Sequence, residues 1–237
     1  MLRIQKKELA ELNGLKDKLF SVVAHDLRAP LYGLRHLFGS MQQYNLPAEE
    51  VKDKLPLVLN DVNYTISLME NLLQWAKNQM HADSIKIVHV DVSLLIDNVL
   101  HLLNQQAAAK NIYIENKAER SVYIFADKEM MALVLRNLIS NAIKFTPTGG
   151  YIEVGVHEHE FLVQVYVQDT GTGISTVALQ KINANSYYTT NGTASESGTG
   201  LGLMLCKEFL AKNGSKLQIE SKEGHGSVFS FTMPKAE

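Results

Sequence analysis

From Met1 to about Tyr44 the apolar positions recur at intervals of three and four. Set out at about 100° per residue, Leu12, Leu15, Leu19, Val22, Val23, Leu34, Leu37 and Met41 gather on one side of a long helix. The other arc holds Lys18, Ser21, His25, Arg28, Ala29 and Tyr32, so the His25 imidazole projects from the polar face. Asn45-Leu46-Pro47 ends this pattern, and Ala48-Glu49-Glu50 supplies the acidic first turn of a second helix. That helix carries Leu55, Leu59, Val62, Ile66, Met69, Leu73 and Ala76. Two long helices with one apolar stripe each bury both poorly by pairing alone, so the pattern predicts a helical hairpin that dimerises into a four-helix bundle.

After Ser84 the period changes, which sets the expected domain boundary: a hairpin over 1–83 and a second domain over 84–237. Ile85 to Val90 reads as a strand and Val92 to Lys110 as a helix. Short strands follow near 112–115 and 122–125, then a helix over 128–145. The alternating stretches 151–157 and 161–168 form a hairpin. Residues 175–197 read as polar and irregular. A helix from Gly202 to Asn213-Gly214 and strands at 216–221 and 227–233 complete the chain. The fold class expected is α+β, a helical hairpin followed by a two-layer α/β sandwich.

Composition narrows the function classes. Of 237 residues, 46% are apolar and 20% charged, enough to build a core and exclude a disordered or low-complexity chain. The net charge of -2 offers no basic field of the kind that nucleic acids or anionic membranes attract, although a local pocket can still take a small anion. Cys206 stands alone, which excludes an internal disulfide and points to a reducing compartment, and its apolar helical context reads as a buried small hydrophobe. No apolar stretch reaches the roughly 18 to 20 residues of a membrane span, and the first residues lack a signal-peptide core, so the segment is expected to be soluble.

Four motifs carry chemistry. In Leu133-Val-Leu-Arg-Asn137-Leu-Ile-Ser-Asn141-Ala-Ile-Lys144, offsets of four and three put Asn137, Asn141 and Lys144 within about 60° of one another. Amide oxygens suit magnesium and an ammonium group suits phosphate, so this face can serve a Mg-nucleotide. A plain solvated helix face has the same composition. In Asp169-Thr-Gly171-Thr-Gly173, an acid at a strand end precedes two glycines that let backbone approach a flat ligand. Calcium loops and ordinary turns share that pattern. Gly198-Thr199-Gly200-Leu201-Gly202 opens a helix, where free N–H groups favour phosphate, without the spacing of a Rossmann turn or a Walker A. Gly224-His-Gly226-Ser-Val-Phe229 also fits a simple hairpin turn.

The order of these motifs, preceded by His25-Asp26-Leu27-Arg28-Ala29-Pro30-Leu31, resembles the H, N, G1 and G2 boxes of bacterial two-component sensor histidine kinases over essentially the whole chain. The resemblance implies a dimerisation and phosphotransfer hairpin joined to an ATP-binding domain of the type shared with gyrase, mismatch-repair and heat-shock-chaperone ATPases, which lack the His25 box. It implies ATP-dependent phosphorylation of His25, with Asp26 orienting and deprotonating it, and transfer to an aspartate of a response-regulator receiver domain. It further implies Asn141, with Asn137 nearby, as magnesium ligands and Lys144 on phosphate. Asp169 takes the adenine amine, Gly171 and Gly173 lie beside the base, and Gly198, Thr199, Gly200, Leu201 and Gly202 flank the phosphates. The expected assembly is a homodimer, without nucleic acid or membrane contact of its own, forming the cytoplasmic part of a larger sensor.

Two departures stand out. The stretch Leu179 to Tyr188 lacks the phenylalanine of the family's F box, leaving Ile182, Tyr187 or Tyr188 as substitutes and a nucleotide-binding dimerisation scaffold as the alternative function; another ATPase of the same fold is the second alternative. Ala29 lies four positions after His25, where the resemblance ties regulator dephosphorylation to a Thr or Asn that orients water. Alanine has no group to hold that water. The wild-type chain is therefore expected to accelerate label loss from a purified phosphorylated receiver only weakly in the presence of ADP, and Ala29→Thr or Ala29→Asn to accelerate it more. Robust wild-type acceleration that neither substitution improves contradicts this expectation.

Overall fold

A computed structural model describes residues 31–41, 49–50 and individual helical positions between 52 and 76, together with residues 85–236 except 119, 185–189, 191, 195 and 197–200. The chain divides into two units, Met1–Ala76 and Lys77–Glu237. In the first unit residues 31–41 are helical, as are the described positions from 49 to 76. Leu37 is buried, whereas Tyr32, on the arc read as polar, is exposed with the Arg35 guanidinium 4.7 Å from its ring centroid. Leu55, Leu59, Ile66 and Met69 keep the three-and-four spacing of an apolar stripe, yet each is 48–55% exposed. His25, Asp26 and Ala29 lie outside the described residues.

In the second unit strands and helices alternate. The elements are β1 (Ile87–Asp91), α1 (Val92–Ala109), β2 (Tyr113–Asn116), β3 (Tyr123–Asp127), α2 (Lys128–Phe145), β4 (Tyr151–Glu158), β5 (Leu162–Asp169), α3 (Thr176–Asn183), α4 (Gly202–Lys212), β6 (Gln218–Ser221) and β7 (Ser227–Pro234). Five strands form one sheet in the order β2-β4-β5-β7-β6, parallel between β2 and β4 and antiparallel elsewhere. β1 and β3 form a separate antiparallel pair. The inward residues Ile152, Val154, Val163, Val165, Val167, Phe229, Phe231 and Met233 are buried, and helices cover that face in a two-layer α+β sandwich.

The central helix, α2, follows directly from its sequence. Asp127 ends β3 and accepts a hydrogen bond from the Met130 N–H at 3.1 Å, Glu129 lies in the first turn and Lys144 in the last. Met130, Met131, Val134, Leu135, Leu138, Ile139, Ala142 and Ile143 repeat at helical spacing and all are buried. α4 packs on this helix with Cys206 fully buried against the Val134 carbonyl, so the lone cysteine is a core residue whose thiol burial pushes up to about 12.

The stretch read from sequence as irregular contains α3. Ser175 caps it by accepting from the Ala178 N–H, and Ala178 and Ile182, four apart, are its buried positions. Eight residues with only two buried side chains show little periodicity, so the helix depends on its neighbours, one of which is Lys207 donating to the Ile182 carbonyl. Of the three F-box substitutes, Ile182 is the buried one among the described residues, and Tyr187 and Tyr188 lie outside them.

Because Ile139 sits fully buried on the face of α2 opposite the asparagines, Ile139→Ala is expected to destabilise the second unit by about 2–5 kcal/mol. Chemical denaturation of the two proteins measures this, and a loss below about 1 kcal/mol contradicts the packing role.

Candidate nucleotide site

Burial of one side of α2 leaves the other side for chemistry. Asn137, Asn141 and Lys144 are all partly exposed on it. The Asn137 amide donates from Nδ2 to the Leu133 carbonyl at 3.0 Å, which anchors the side chain along its own helix. Its Oδ1 faces the start of α4, where a Cβ added at Gly202 would lie 2.9 Å away. The asparagine face and the end of the glycine-rich turn, far apart in sequence, are thus packed together. Among the described residues the Asn141 carboxamide has no hydrogen-bond partner, and a carboxamide oxygen is a hard donor of the kind magnesium accepts. The donor chemistry of this face fits that ion.

α4 begins at Gly202 with Leu201 as its N-cap, whose side chain makes no capping hydrogen bond. Leu201 itself is buried. A helix start offers N–H groups and the positive end of the dipole to an anion. Gly198, Thr199 and Gly200 lie outside the described residues.

Lys144 Nζ donates to the Thr190 carbonyl at 3.1 Å and lies 4.7 Å from the Phe145 ring centroid. Burial lowers its ammonium to about 8; the Glu196 carboxylate opposes that shift and the Lys110 ammonium adds to it.

Asp169 closes β5 between Ile152 of β4 and Ser227 of β7, almost fully buried. Desolvation raises its carboxyl, while the backbone N–H groups of Gly171 and Ser227 pull it back. The Gly171 N–H donates to Oδ1 at 2.8 Å. Gly171 leaves no room for a side chain, since a Cβ there would collide with the Phe145 carbonyl at the end of α2 and with Asp169 itself. Nearby, the Thr172 N–H donates to that same Phe145 carbonyl at 3.1 Å. The turn that follows the strand-end acid is therefore tied to the end of the asparagine helix.

The fourth motif proves to be more than a hairpin turn. Gly226, at φ +83°, passes under the Asp169 carbonyl so closely that any Cβ would overlap it. The Gly224 N–H donates to the Thr172 carbonyl at 2.7 Å, and the Ile174 N–H donates to Ser221 Oγ at 2.8 Å. The GxG turn before a strand is visible in the sequence, but only the β5–β7 pairing puts Gly226 against Asp169.

Residues 126–237 match the family model of histidine kinase-, DNA gyrase B- and HSP90-like ATPases. The chain is 33% identical to sensor histidine kinase WalK of Bacillus subtilis over 227 residues, 91% of this chain and 36% of WalK. It thus spans about a third of that curated relative. The solved catalytic domain of histidine kinase ThkA is 30% identical, with a TM-score of 0.55, over 63% of this chain and 96% of that domain. A solved complex of ThkA with response regulator protein TrrA matches 99% of this chain and 65% of ThkA, with a TM-score of 0.73 and 23% identity.

The charge state of Lys144 is directly measurable. Its ammonium is expected to titrate near pH 8, well below an ordinary lysine at 10.5, as one resonance of the reductively methylated protein that Lys144→Arg removes. Because the folded chain then releases this proton before the unfolded one, this group makes stability rise with pH between those two values. A Lys144 signal that stays protonated above pH 10 contradicts the burial argument.

Proposed function

The chain belongs to the sensor histidine kinases, as a catalytic region of that family, and from this premise we propose that it transfers the γ-phosphoryl group of ATP to His25 and from there to an aspartate of a response-regulator receiver domain. The observation that carries the reading is the convergence of the Asn137–Asn141–Lys144 face with the start of α4 at Gly202 and with the Asp169 turn. A cation, hard oxygen donors, helix N–H groups and a buried carboxylate are the set that a Mg-nucleotide needs.

In this reading the adenine amine donates to the Asp169 carboxylate, and Gly171 and Gly173 let the backbone lie flat beside the base. Gly198, Thr199, Gly200, Leu201 and Gly202 flank the phosphates, and Lys144 neutralises a phosphate oxygen. Asn141, with Asn137 beside it, would hold magnesium, which when bound offsets charge on the transferring group. The neutral His25 imidazole attacks the γ-phosphorus: an N–P bond forms as the P–O bond to ADP breaks. Asp26 orients the ring and takes its proton. The receiver aspartate then accepts the phosphoryl group, and His25 is regenerated.

The exposed stripe of Leu55, Leu59, Ile66 and Met69 supports a homodimer in which a second copy buries it as a four-helix bundle. The ThkA–TrrA complex supports a response regulator as partner. No helix among the described residues is long and apolar enough to cross a membrane, and we place this region in the cytoplasm as part of a longer sensor.

With γ-labelled ATP and magnesium, the protein is expected to gain acid-labile, base-stable label that His25→Gln abolishes while leaving nucleotide binding intact. Asn141→Ala is expected to weaken Mg-nucleotide binding about tenfold or more, since few protein ligands hold the cation. Label that persists in His25→Gln overturns the acceptor; the absence of any label favours the dimerisation scaffold.

A further inference from the structure

The C-terminal end of α2 is bound by a residue that no motif includes. Lys110, just past α1, sends Nζ to the carbonyls of Ile143 at 2.8 Å and Lys144 at 3.0 Å. The same ammonium donates to Thr193 Oγ1 at 2.7 Å and pairs with Glu196 Oε1 at 2.9 Å. Capping a helix end would need only the two carbonyls. The other two partners belong to the segment that leads into the glycine-rich turn.

That segment is seated by more than one ion pair. The Thr193 N–H donates to the Lys144 carbonyl at 3.1 Å, and its hydroxyl donates to the Thr146 carbonyl at 2.9 Å. The Ala194 N–H donates to Glu196 Oε2 at 2.8 Å, and the Gly192 N–H to the Glu196 carbonyl at 2.8 Å. Gly192 lies so close to the Lys144 stem and to the Glu196 carboxylate that a Cβ would collide with both. The Lys110 side chain is 12% exposed and that of Glu196 is 30%, so the pair is better shielded from solvent than a surface ion pair. Glu196 is also the anion that faces both Lys110 and Lys144.

We propose that Lys110 and Glu196 are positioning residues for nucleotide binding: their ion pair clasps Gly192, Thr193 and Glu196 onto the end of α2 and thereby fixes the place and charge of Lys144 for a phosphate group. The proposal rests on the nucleotide reading above and extends it to two residues outside the family's boxes. Glu196 keeps two ammonium groups at close quarters compatible. Lys110, in turn, joins the loop after α1 to the helix that bears the asparagines. Neither side chain touches the ligand in this role.

The test is titration calorimetry of the whole chain with magnesium and the non-hydrolysable analogue AMPPNP. Lys110→Gln and Glu196→Gln are each expected to weaken binding about five- to tenfold, the loss of one shielded ion pair. The double variant is expected to be no weaker than the poorer single one, and Lys110→Arg to lose less than Lys110→Gln. A pH series separates charge from packing. The groups facing Lys144 are Glu196 and Lys110, so removing the carboxylate moves the alkaline limb of binding to lower pH, and removing the second ammonium moves it to higher pH. Looser packing alone would move both limbs alike. Wild-type affinity in both single variants, additive losses, or limbs that shift in one direction overturn the clasp. Failure of the wild-type chain itself to bind Mg-AMPPNP overturns the nucleotide reading instead. Should Lys110→Gln not fold, Glu196→Gln on the more exposed partner decides by affinity and by the direction of its limb.

Discussion

The burial of one face of α2 is the constraint on which the second unit depends. Eight apolar side chains of an 18-residue helix enter the core against the sheet and against α4. At 3.6 residues per turn this fixes the direction of every other side chain on the helix. Asn137, Asn141 and Lys144 are presented because Leu138, Ile139, Ala142 and Ile143 are not. Packing energy and site geometry are therefore two consequences of one periodicity. A change to the core side of α2 reaches the site by rotating or loosening this helix.

A second dependence runs through Asp169. A carboxylate at the end of a buried strand loses hydration and must be repaid in hydrogen bonds, here from the N–H groups of Gly171 and Ser227. Those N–H groups reach it only because glycines let three backbone segments meet: the end of α2, the turn after β5 and the turn before β7. Gly226 is the tightest of these approaches, and its positive φ suits a residue without a Cβ. The acid is held in a fixed orientation by main chain, which is less adaptable than side chains.

The third element is electrostatic. Three charged side chains, Lys110, Lys144 and Glu196, lie around the last turn of α2, where the negative end of the helix dipole favours cations. One carboxylate among two ammonium groups leaves a net positive charge beside the helix end. The balance is sensitive to each member, because burial raises the strength of the coupling between them.

Local order was legible in the sequence because it depends on local spacing. The strand-to-helix alternation after residue 84, the limits of α2 and the polar face with Asn137 and Asn141 all follow from periodicity and capping within a few residues. The Asp169-Thr-Gly171 and Gly224-His-Gly226 motifs were legible as patterns, though not as neighbours. α3 escaped because two buried side chains in eight residues make no readable period, and its stability comes from tertiary contact. The role of Gly226 depends on β5 pairing with β7, 58 residues away by the Asp169–Ser227 register. Lys110 and Glu196 are separated by 86 positions, and nothing in either local sequence distinguishes them from any lysine and glutamate on a surface. Spacing along a chain determines which faces are apolar; only the closing of the sheet decides which distant backbone groups and charges come within a hydrogen bond of each other.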